Sequence, residues 1–315
     1  MSIITKLFQN LQTTKIIRNY INDHKDELTV IDGENLLKLQ KCLLFILKDF
    51  DSFCERNGLR YSITGGTLLG KIRHNGFIPW DDDFDIIMPR EDYDKLKQIY
   101  DSSNDDFCQK YTFRGPGYSK GAIVRIGKIY KNDSVLESIL SKDNTINKVF
   151  IDIFPIDYVP DNRIVRLFRG YLSFVLIVII SCVERKKNIT NDFNLNLGVL
   201  YKISSAVRLF FGTIFSVYPL KKLYDLLDNI TKNTKFNKET KQITAATGAL
   251  LYFGEIIPAE IYFPLQRTDF CGISTWMPNQ PEKYLENRYG DWKRIPEPKD
   301  REIHYVRKLD IGKIE

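Results

Sequence analysis

Four aspartates crowd into five positions of this chain, and the residues around the last of them are apolar. The acidic residues are Asp81, Asp82, Asp83 and Asp85, and the run over 84–88 reads FDIIM. Neighbouring carboxylates repel one another and Asp is a poor strand residue, so the segment is costly unless something offsets its charge. The apolar run nevertheless predicts a short buried strand. In a strand alternate side chains share a face, which would gather Asp81, Asp83 and Asp85 on one side.

A divalent cation would offset this charge. Residues two apart in a strand have Cα atoms about 6.6 Å apart, close enough for their carboxylates to converge on one ion or on a pair of ions. Carboxylate oxygens are the ligands that Mg²⁺ prefers, with Mn²⁺ as an alternative, and such a site leaves positions open for phosphate. The pattern therefore predicts a metal site at Asp81, Asp83 and Asp85. A solvated acidic turn, in which the aspartates cap loop amides, is the other interpretation that the residues leave open.

A pair of glycines precedes the aspartates at a predicted strand-to-helix turn. The strand is predicted over 59–64 and the helix over 67–74, with Gly65 and Gly66 between them and Thr67 near the N-cap. Bare backbone amides and a helix N-terminus can hold phosphate. A lone glycine pair is a weak signal, but a glycine turn followed by paired aspartates suits a single metal–phosphate site. Gly65, Gly66 and Thr67 are therefore predicted to bind the phosphates of a substrate.

A third carboxylate stands in another apolar run. Asp152 interrupts the strand predicted over 148–154, where an unpaired charge would rarely be buried. It is predicted to act either as a third metal ligand or as the base that orients an attacking hydroxyl. The alternative is a salt bridge to Arg125 or Lys128, two cations that alternate along a strand predicted over 122–130.

Further charged and aromatic residues surround these motifs. The candidates for contact with a substrate are Lys71, Arg73, His74, Trp80, Arg125 and Lys128. Each cation taken alone is better explained as a solvated surface charge, and Trp80 either stacks on a base or packs in the core. Asp157 follows the predicted end of the 148–154 strand and is interpreted as a loop cap.

Predicted helices and strands interleave through about residue 158, as in a domain that combines a sheet with flanking helices. An apolar stripe at three- and four-residue steps predicts a helix over 34–56, a second helix is predicted over 91–100, and 107–113 reads as a further strand. We divide the chain into a catalytic core over 1–160, a mostly helical insertion over 161–240 and a C-terminal region over 241–315 that packs back on the core.

The insertion contains two apolar segments. The fourteen residues 170–183 carry no formal charge, and as a helix they would span about 21 Å, less than the roughly 30 Å of a hydrocarbon core. This segment is therefore predicted not to cross a bilayer. A second apolar stripe predicts a helix over 199–217. Both helices are interpreted either as core elements or as helices inserted shallowly into a membrane face, aided by Arg166, Arg169 and the basic run 185–187.

The composition limits which classes of ligand, metal site and cellular location remain possible. The net charge of +6 is spread along the chain, which does not indicate a nucleic-acid footprint. Five cysteines lie far apart without a CxxC pair, as in a reducing compartment, and the three histidines are too dispersed for zinc. The first 22 residues lack the continuous apolar core and cleavage site of a signal peptide. The protein is therefore predicted to be cytoplasmic, either free or peripheral on the inner face of the plasma membrane.

Three blocks of this chain resemble the LicD family, the bacterial phosphocholine transferases related to fukutin and fukutin-related protein. They are YSITGGTLLGKIRHNGFIPWDDDFDIIMPREDY over 61–93, IDIFPIDYVP over 151–160 and YLENRYGDW over 284–292. The resemblance implies a nucleotidyltransferase-like α+β fold, a mixed sheet flanked by helices. In it Gly65 and Gly66 would form the phosphate-holding turn, Asp83 and Asp85 the paired metal ligands, and Asp152 the third carboxylate.

The same resemblance implies a reaction. A substituted phosphate would pass from a CDP-activated donor, such as CDP-choline or another CDP-alcohol, to a sugar hydroxyl of a cell-surface glycan, and CMP would leave. Acceptors in such families include lipopolysaccharide and teichoic-acid precursors, which are assembled on lipid carriers. No residue selects among choline, ribitol and glycerol phosphates. The alternatives are a metal-dependent glycosyltransferase that uses a nucleotide-sugar and a catalytically silent binding protein.

Overall fold

A computed structural model describes residues 28–102, 105–117, 124–138, 147–188, 199–234, 241–298, 301 and 305–314. The helices are α1 (Gly33–Asn57), α2 (Gly65–His74), α3 (Arg90–Ser102), α4 (Asp106–Lys110), α5 (Arg163–Asn188), α6 (Val199–Phe215), α7 (Leu220–Thr231), α8 (Leu251–Gly254), α9 (Ala259–Tyr262) and α10 (Pro281–Tyr289). The strands are β1 (Thr29–Val30), β2 (Ser62–Ile63), β3 (Asp85–Pro89), β4 (Tyr111–Arg114), β5 (Gly127–Lys131), β6 (Val135–Ser138), β7 (Phe150–Tyr158), β8 (Gln242–Thr244), β9 (Ile257–Pro258), β10 (Gln266–Phe270), β11 (Ile273–Met277) and β12 (Tyr305–Asp310).

The largest sheet is mixed and has the strand order β2-β3-β7-β5-β4, with β8 and β9 added beside β7. Strands β3 and β7 run parallel, whereas β2 pairs with β3, and β5 with both β7 and β4, in antiparallel fashion. A three-stranded sheet (β1-β12-β6) and the β10–β11 hairpin lie apart from it. A mixed sheet flanked by helices confirms the predicted α+β fold class.

Helix α1 supplies much of the core. Its apolar positions recur at three- and four-residue steps, so that Leu39, Leu43, Ile46 and Phe50 are all buried on one side. Each such side chain contributes roughly 1.5–3 kcal/mol when it leaves water. The helix ends at Gly58, which adopts the left-handed conformation that glycine tolerates best. The predicted helix over 34–56 is confirmed.

The strand predicted over 107–113 is wrong in its first part, because helix α4 precedes β4. The carboxylate of Asp105 accepts a hydrogen bond from the backbone N–H of Phe107 at 2.8 Å, and this cap favours a helical turn. The strand predicted over 122–130 is shorter than expected: β5 begins only at Gly127, and Arg125 precedes it. Residues 122 and 123 lie outside the described residues.

Strand β7 runs further than predicted. It continues through Pro155 to Tyr158, so Asp157 lies inside a strand and is only 2% exposed. Arg90, at the start of α3, donates two hydrogen bonds to Asp157, at 2.9 and 2.8 Å, and a third to Asp228 of α7, at 2.6 Å. The predicted position of Asp157 past the end of the strand is therefore wrong, whereas the predicted cap is present, since its Oδ1 accepts a hydrogen bond from the loop amide of Asn233 at 2.8 Å. Asp157 belongs to a buried ionic cluster that joins the core sheet to the helices after it.

Helix α5 is much longer than the uncharged segment that predicted it. It begins at Arg163 and ends at Asn188, since the basic residues at both ends are good helix formers and do not stop it. By length and composition alone, 163–187 could cross a membrane. The predicted helix length is therefore wrong, because the helix continues through the charged residues on both sides of 170–183. That the segment does not cross a bilayer stays a prediction.

The two strands that bracket the long helices are neighbours. Strand β8 pairs with the end of β7, with Asp157 opposite Thr244, and the N–H of Val159 donates to the carbonyl of Gln242 at 2.9 Å. The chain therefore leaves the sheet after β7, forms α5, α6 and α7, and returns beside the point where it left.

Candidate active site

Three polar side chains form a row across the middle of the large sheet. Asp85 is the Cα partner of Asp152 on the parallel strands β3 and β7, and Asp152 is in turn the partner of Lys128 on β5. Residues in register on neighbouring strands share a face of the sheet. Their chain neighbours, Ile86 and Ile153 among them, are fully buried on the other side. Alternation of one polar and one apolar residue thus builds the row and the core together.

The glycines of α2 lie directly against this row. Gly65 has a φ of +55°, and a Cβ placed there would overlap the carboxylate of Asp85. A Cβ on Gly66 would lie 2.9 Å from Oδ2 of Asp81. Only a residue without a side chain allows so close an approach. The first turn of a helix, with its positive dipole end, therefore faces the carboxylates and any phosphate bound beside them.

The helix begins two residues earlier than predicted. Thr64 occupies the N-cap position, and Thr67 lies inside the helix. The Thr67 hydroxyl does not cap the helix; it accepts a hydrogen bond from the backbone N–H of Asp85 at 2.8 Å. The carbonyl of Asp85 accepts from the N–H of Thr64 at 3.1 Å. These two bonds fix the start of β3 against the glycine turn.

Only Asp85 of the acidic run belongs to a strand. Residues 81–84 have no regular secondary structure, so the prediction that Asp81, Asp83 and Asp85 share a strand face is wrong. These acidic side chains nevertheless lie near one another. Burial holds the pKa of Asp85 well above its usual range, and the charges of Asp83, Asp152 and Asp81 raise it further, whereas Arg288 lowers it. The four predicted metal ligands therefore lie close enough together that the charges of Asp81, Asp83 and Asp152 all act on Asp85.

Asp152 is held by a lysine. Lys128 donates to its Oδ1 and lies 3.5 Å from the ring centroid of Phe150. Burial raises the pKa of Asp152, while the charges of Lys128 and then Arg125 lower it. The salt bridge that the sequence offered as an alternative is thus present, with Lys128 as the partner and the exposed Arg125 contributing from a distance.

The donor chemistry of this site fits a hard divalent cation. The carboxylates are oxygen donors, and Asp83, Asp152 and Asp81 raise the pKa of Asp85, a repulsion that Mg²⁺ or Mn²⁺ would relieve. The glycine backbone leaves room beside Asp85. Among the described residues, no three His, Cys, Asp or Glu side chains are arranged at metal-binding positions. The fit is therefore one of donor type and location, and the metal stays a prediction.

The other predicted contacts join α2 to the C-terminal region. Arg73 donates to the backbone carbonyls of Trp292 and Arg294, at 3.0 and 3.1 Å, and to Nε2 of His74 at 3.0 Å. Burial lowers the pKa of His74, and the charge of Arg73 lowers it further. Lys71 is hydrogen-bonded to Asn75 one turn away, at 2.7 Å.

Trp80 packs at the edge of the same region. Its ring makes an edge contact with His74, with centroids 6.1 Å apart, and the guanidinium carbon of Arg301 lies 4.0 Å from its ring centroid. The indole also contacts the main hydrophobic cluster. These partners match the core interpretation of Trp80.

Sequence reasoning missed two residues of α10. Arg288 acts on the pKa of Asp85, and its Nη1 donates to both carboxylate oxygens of Glu255, at 2.7 and 2.8 Å, in a buried pair. Burial raises the pKa of Tyr289, Arg288 lowers it, and the charge of Asp85 raises it again. The contact that brings α10 to the site is made only by the folded chain: Arg288 stands one helical turn after Tyr284, whose hydroxyl lies 2.7 Å from that of Thr64.

Comparison with known proteins identifies the fold that carries this site. Residues 58–168, which include the glycines and the acidic row, match the family model described as LicD/FKTN/FKRP, nucleotidyltransferase domain. The lipopolysaccharide cholinephosphotransferase LicD of Haemophilus influenzae is 25% identical over 285 residues, which cover 88% of this chain and 98% of that protein. Residues 58–168 therefore form a nucleotidyltransferase domain of the LicD/FKTN/FKRP type.

Other proteins match over shorter stretches. The human ribitol 5-phosphate transferase FKRP is 44% identical over 45 residues, 14% of this chain and 9% of that protein. A protein of Rickettsia prowazekii is 38% identical over 79 residues, 25% of this chain and 28% of that protein. The two relatives with descriptive names are both called transferases of a phosphorylated alcohol.

Proposed function

We propose that this enzyme transfers phosphocholine from CDP-choline to a sugar hydroxyl of lipopolysaccharide or of a related cell-surface glycan, such as a teichoic-acid precursor. The observation that carries the proposal is the pairing of Asp85 with Asp152 on adjacent strands, directly below the glycines that open α2. A carboxylate pair opposite bare backbone amides suits a pyrophosphate linkage that loses its terminal substituted phosphate.

The choice of phosphocholine follows from the extent of the similarity. The relative named as a cholinephosphotransferase aligns with 88% of this chain, whereas the ribitol 5-phosphate transferase aligns with 14%. Both names describe transfer of a phosphorylated alcohol, which disfavours the alternative of a glycosyltransferase that uses a nucleotide-sugar. CDP-ribitol and CDP-glycerol are the competing donors.

In the proposed reaction the bond between the phosphocholine phosphorus and the bridging oxygen of the donor breaks. The oxygen of the sugar hydroxyl forms the new bond to phosphorus, and CMP leaves with the bridging oxygen. The amides at Gly65 and Gly66 bind the donor phosphates, and the dipole of α2 favours their negative charge. Lys128 orients Asp152 through their ion pair.

Asp83, Asp85 and Asp152 would hold Mg²⁺, with Asp81 beside them. A bound Mg²⁺ would supply charge neutralisation on the phosphate oxygens. Two roles stay open for Asp152, because a buried carboxylate with a raised pKa also suits a base that accepts the proton of the sugar hydroxyl. Loss of Mg²⁺ binding in Asp152→Asn would assign the first role, and intact Mg²⁺ binding with lost turnover the second.

The experiment is release of CMP followed by ³¹P NMR. The purified chain is incubated with Mg²⁺, a glycan acceptor and, in parallel, CDP-choline, CDP-ribitol and CDP-glycerol. We expect turnover of CDP-choline, lost in Asp83→Asn and kept in Asp269→Asn, an exposed aspartate of β10. Turnover of UDP-sugars in place of all three donors, or full activity of Asp83→Asn, would contradict the proposal.

A further inference from the structure

The long helices after β7 expose large apolar side chains in two stripes. The α5 stripe consists of Ile164, Leu167, Phe168, Tyr171 and Val175, and the α6 stripe of Val207, Phe210, Phe211 and Ile214. Val217 and Tyr218, just after the end of α6, are exposed as well. Both stripes recur at three- and four-residue steps and so lie on one side of each helix. Phe168 is 65% exposed, Phe210 63% and Val217 81%. A soluble surface rarely presents so many large apolar residues together.

The α6 stripe points away from the rest of the protein. Gly212 lies on the opposite side of α6, where a Cβ would overlap the carbonyl oxygen of Cys182 in α5. Phe210 and Ile214 are each two residues from Gly212, about 200° around the helix. Close packing of the helices at Gly212 therefore directs both side chains outward.

The charge around the stripes has one sign. Residues 161–240 contain thirteen Lys and Arg but six Asp and Glu, a net charge of +7, whereas the rest of the chain has a net charge of −1. Within this segment, 162–183 and 193–224 contain no acidic residue at all. Both stripes lie in these two stretches. Exposed apolar residues flanked only by cations are typical of helices that bind anionic lipid.

We propose that α5 and α6 seat this protein on an anionic bilayer, with the two stripes inserted at the level of the headgroups and the helices lying in the plane of the membrane. The apolar side chains leave water on insertion, and the surrounding Lys and Arg are attracted to lipid phosphates. This surface is separate from the acidic row and needs no donor or metal.

The packing of α5 argues for seating in the plane rather than for crossing. The other side of α5 forms its own core with α7, through Leu176, Ile180 and Val183 against Leu223 and Leu227. Helix α7 also carries Lys221, Lys222, Asp225 and Asp228. Asp228 is bonded to the buried Arg90 of the catalytic core. If α5 crossed the bilayer, it would either carry the charged residues of α7 into the hydrocarbon or lose its packing against α7. Both outcomes cost free energy.

The test is flotation of the whole chain with phosphatidylcholine vesicles, with and without phosphatidylglycerol. We expect co-flotation only when phosphatidylglycerol is present. The triple variant Phe168→Gln/Phe210→Gln/Ile214→Gln should lower the partition coefficient by roughly a hundredfold or more, because three apolar side chains no longer insert. The matched control is Leu37→Gln/Ile295→Gln, which alters apolar residues that are comparably exposed outside the insertion and should leave partition unchanged.

Three results would overturn the proposal. Equal partition of the triple variant and the wild type would show that the stripes do not insert. Absence of flotation, with a dimer on size exclusion that the triple variant breaks, would assign the stripes to a second copy of the chain. Retention of the wild type in vesicles after alkaline carbonate extraction would show that a helix spans the bilayer. Circular dichroism of each variant verifies the fold, and none of these readouts requires catalysis.

Discussion

The hydroxyl of Tyr284 lies 2.7 Å from Oγ1 of Thr64, and both side chains are buried. Through this one bond the C-terminal helix α10 contacts the residue that precedes Gly65. The block YLENRYGDW therefore supports the glycine turn from behind, although 220 positions separate the two residues in the chain. The turn and the helix form one unit of the site.

Replacing Tyr284 with Phe removes the hydroxyl that pairs with Thr64. A buried hydroxyl that loses its partner costs about 1–3 kcal/mol, so the free energy of unfolding should fall by that amount. Urea unfolding measures it. In a double-mutant cycle with Thr64→Val, the combined loss should be smaller than the sum of the single losses. Strict additivity would show that the two hydroxyls do not interact.

Gly65→Ala should damage the site more than the fold. The new Cβ would overlap the Asp85 carboxylate, and a displacement of about 1 Å at a reacting centre lowers kcat/KM by roughly a hundredfold. Gly33→Ala is the control, because Gly33 also has a positive φ (+48°) but nothing lies within 4 Å of its Cβ position. That variant should lose about 1 kcal/mol of stability with unchanged kcat/KM. Equal activity of both variants would contradict the assignment of Gly65.

Arg288→Met tests the cation that sequence reasoning missed. Loss of a positive charge near Asp85 should lower kcat/KM by about a hundredfold, since the donor phosphates lose its attraction. The single variant also leaves Glu255 buried without its cation, which costs roughly 3–5 kcal/mol of stability. Adding Glu255→Gln should restore much of the stability but none of the activity. Recovery of activity in the double variant would reduce Arg288 to a structural role.

Arg90→Met should destabilise the protein by roughly 3–5 kcal/mol, because Asp157 and Asp228 would remain buried without their cation. Burial already raises the pKa of Asp157, and loss of Arg90 raises it further. An acid with a raised pKa in the folded state favours folding at low pH and loses that contribution as pH rises through the raised value. The deficit of the variant should therefore grow with pH, as unfolding at a series of pH values would show.

The matched control is Arg56→Met, which removes an arginine that is 54% exposed from its pair with Asp105, which is 22% exposed. Exposed ion pairs contribute about 1 kcal/mol or less, so this variant should remain close to the wild type at every pH. A similar deficit in the two variants, or a deficit in Arg90→Met that shrinks with rising pH, would contradict the buried-cluster interpretation.

The sequence was informative where local pattern and chemistry coincide. The stripe of α1 predicted its helix, and the alternation around Asp152 predicted a strand with a charge on one face. The residues alone also indicated that Asp85 and Asp152 belong to one site, because carboxylates in apolar runs need a partner.

The failures have physical causes that lie outside the local pattern. Asp105 caps a short helix where β-forming residues predicted a strand. Charged residues at both ends of α5 continue the helix, because Arg and Lys are good helix formers and do not mark a helix end. Arg288 could not be placed from spacing alone, since its position depends on a contact between residues 64 and 284 that only the folded chain makes.

The adjacency of β7 and β8 has an evolutionary and a practical consequence. Because the carbonyl of Gln242 and the amide of Val159 are hydrogen-bonded, the chain leaves the sheet and returns to it at neighbouring positions. A lineage can lengthen, shorten or replace the segment between these positions without changing the strands that carry Asp85 and Asp152. The paired ends of β7 and β8 also offer protein engineers a place to graft a different helical segment.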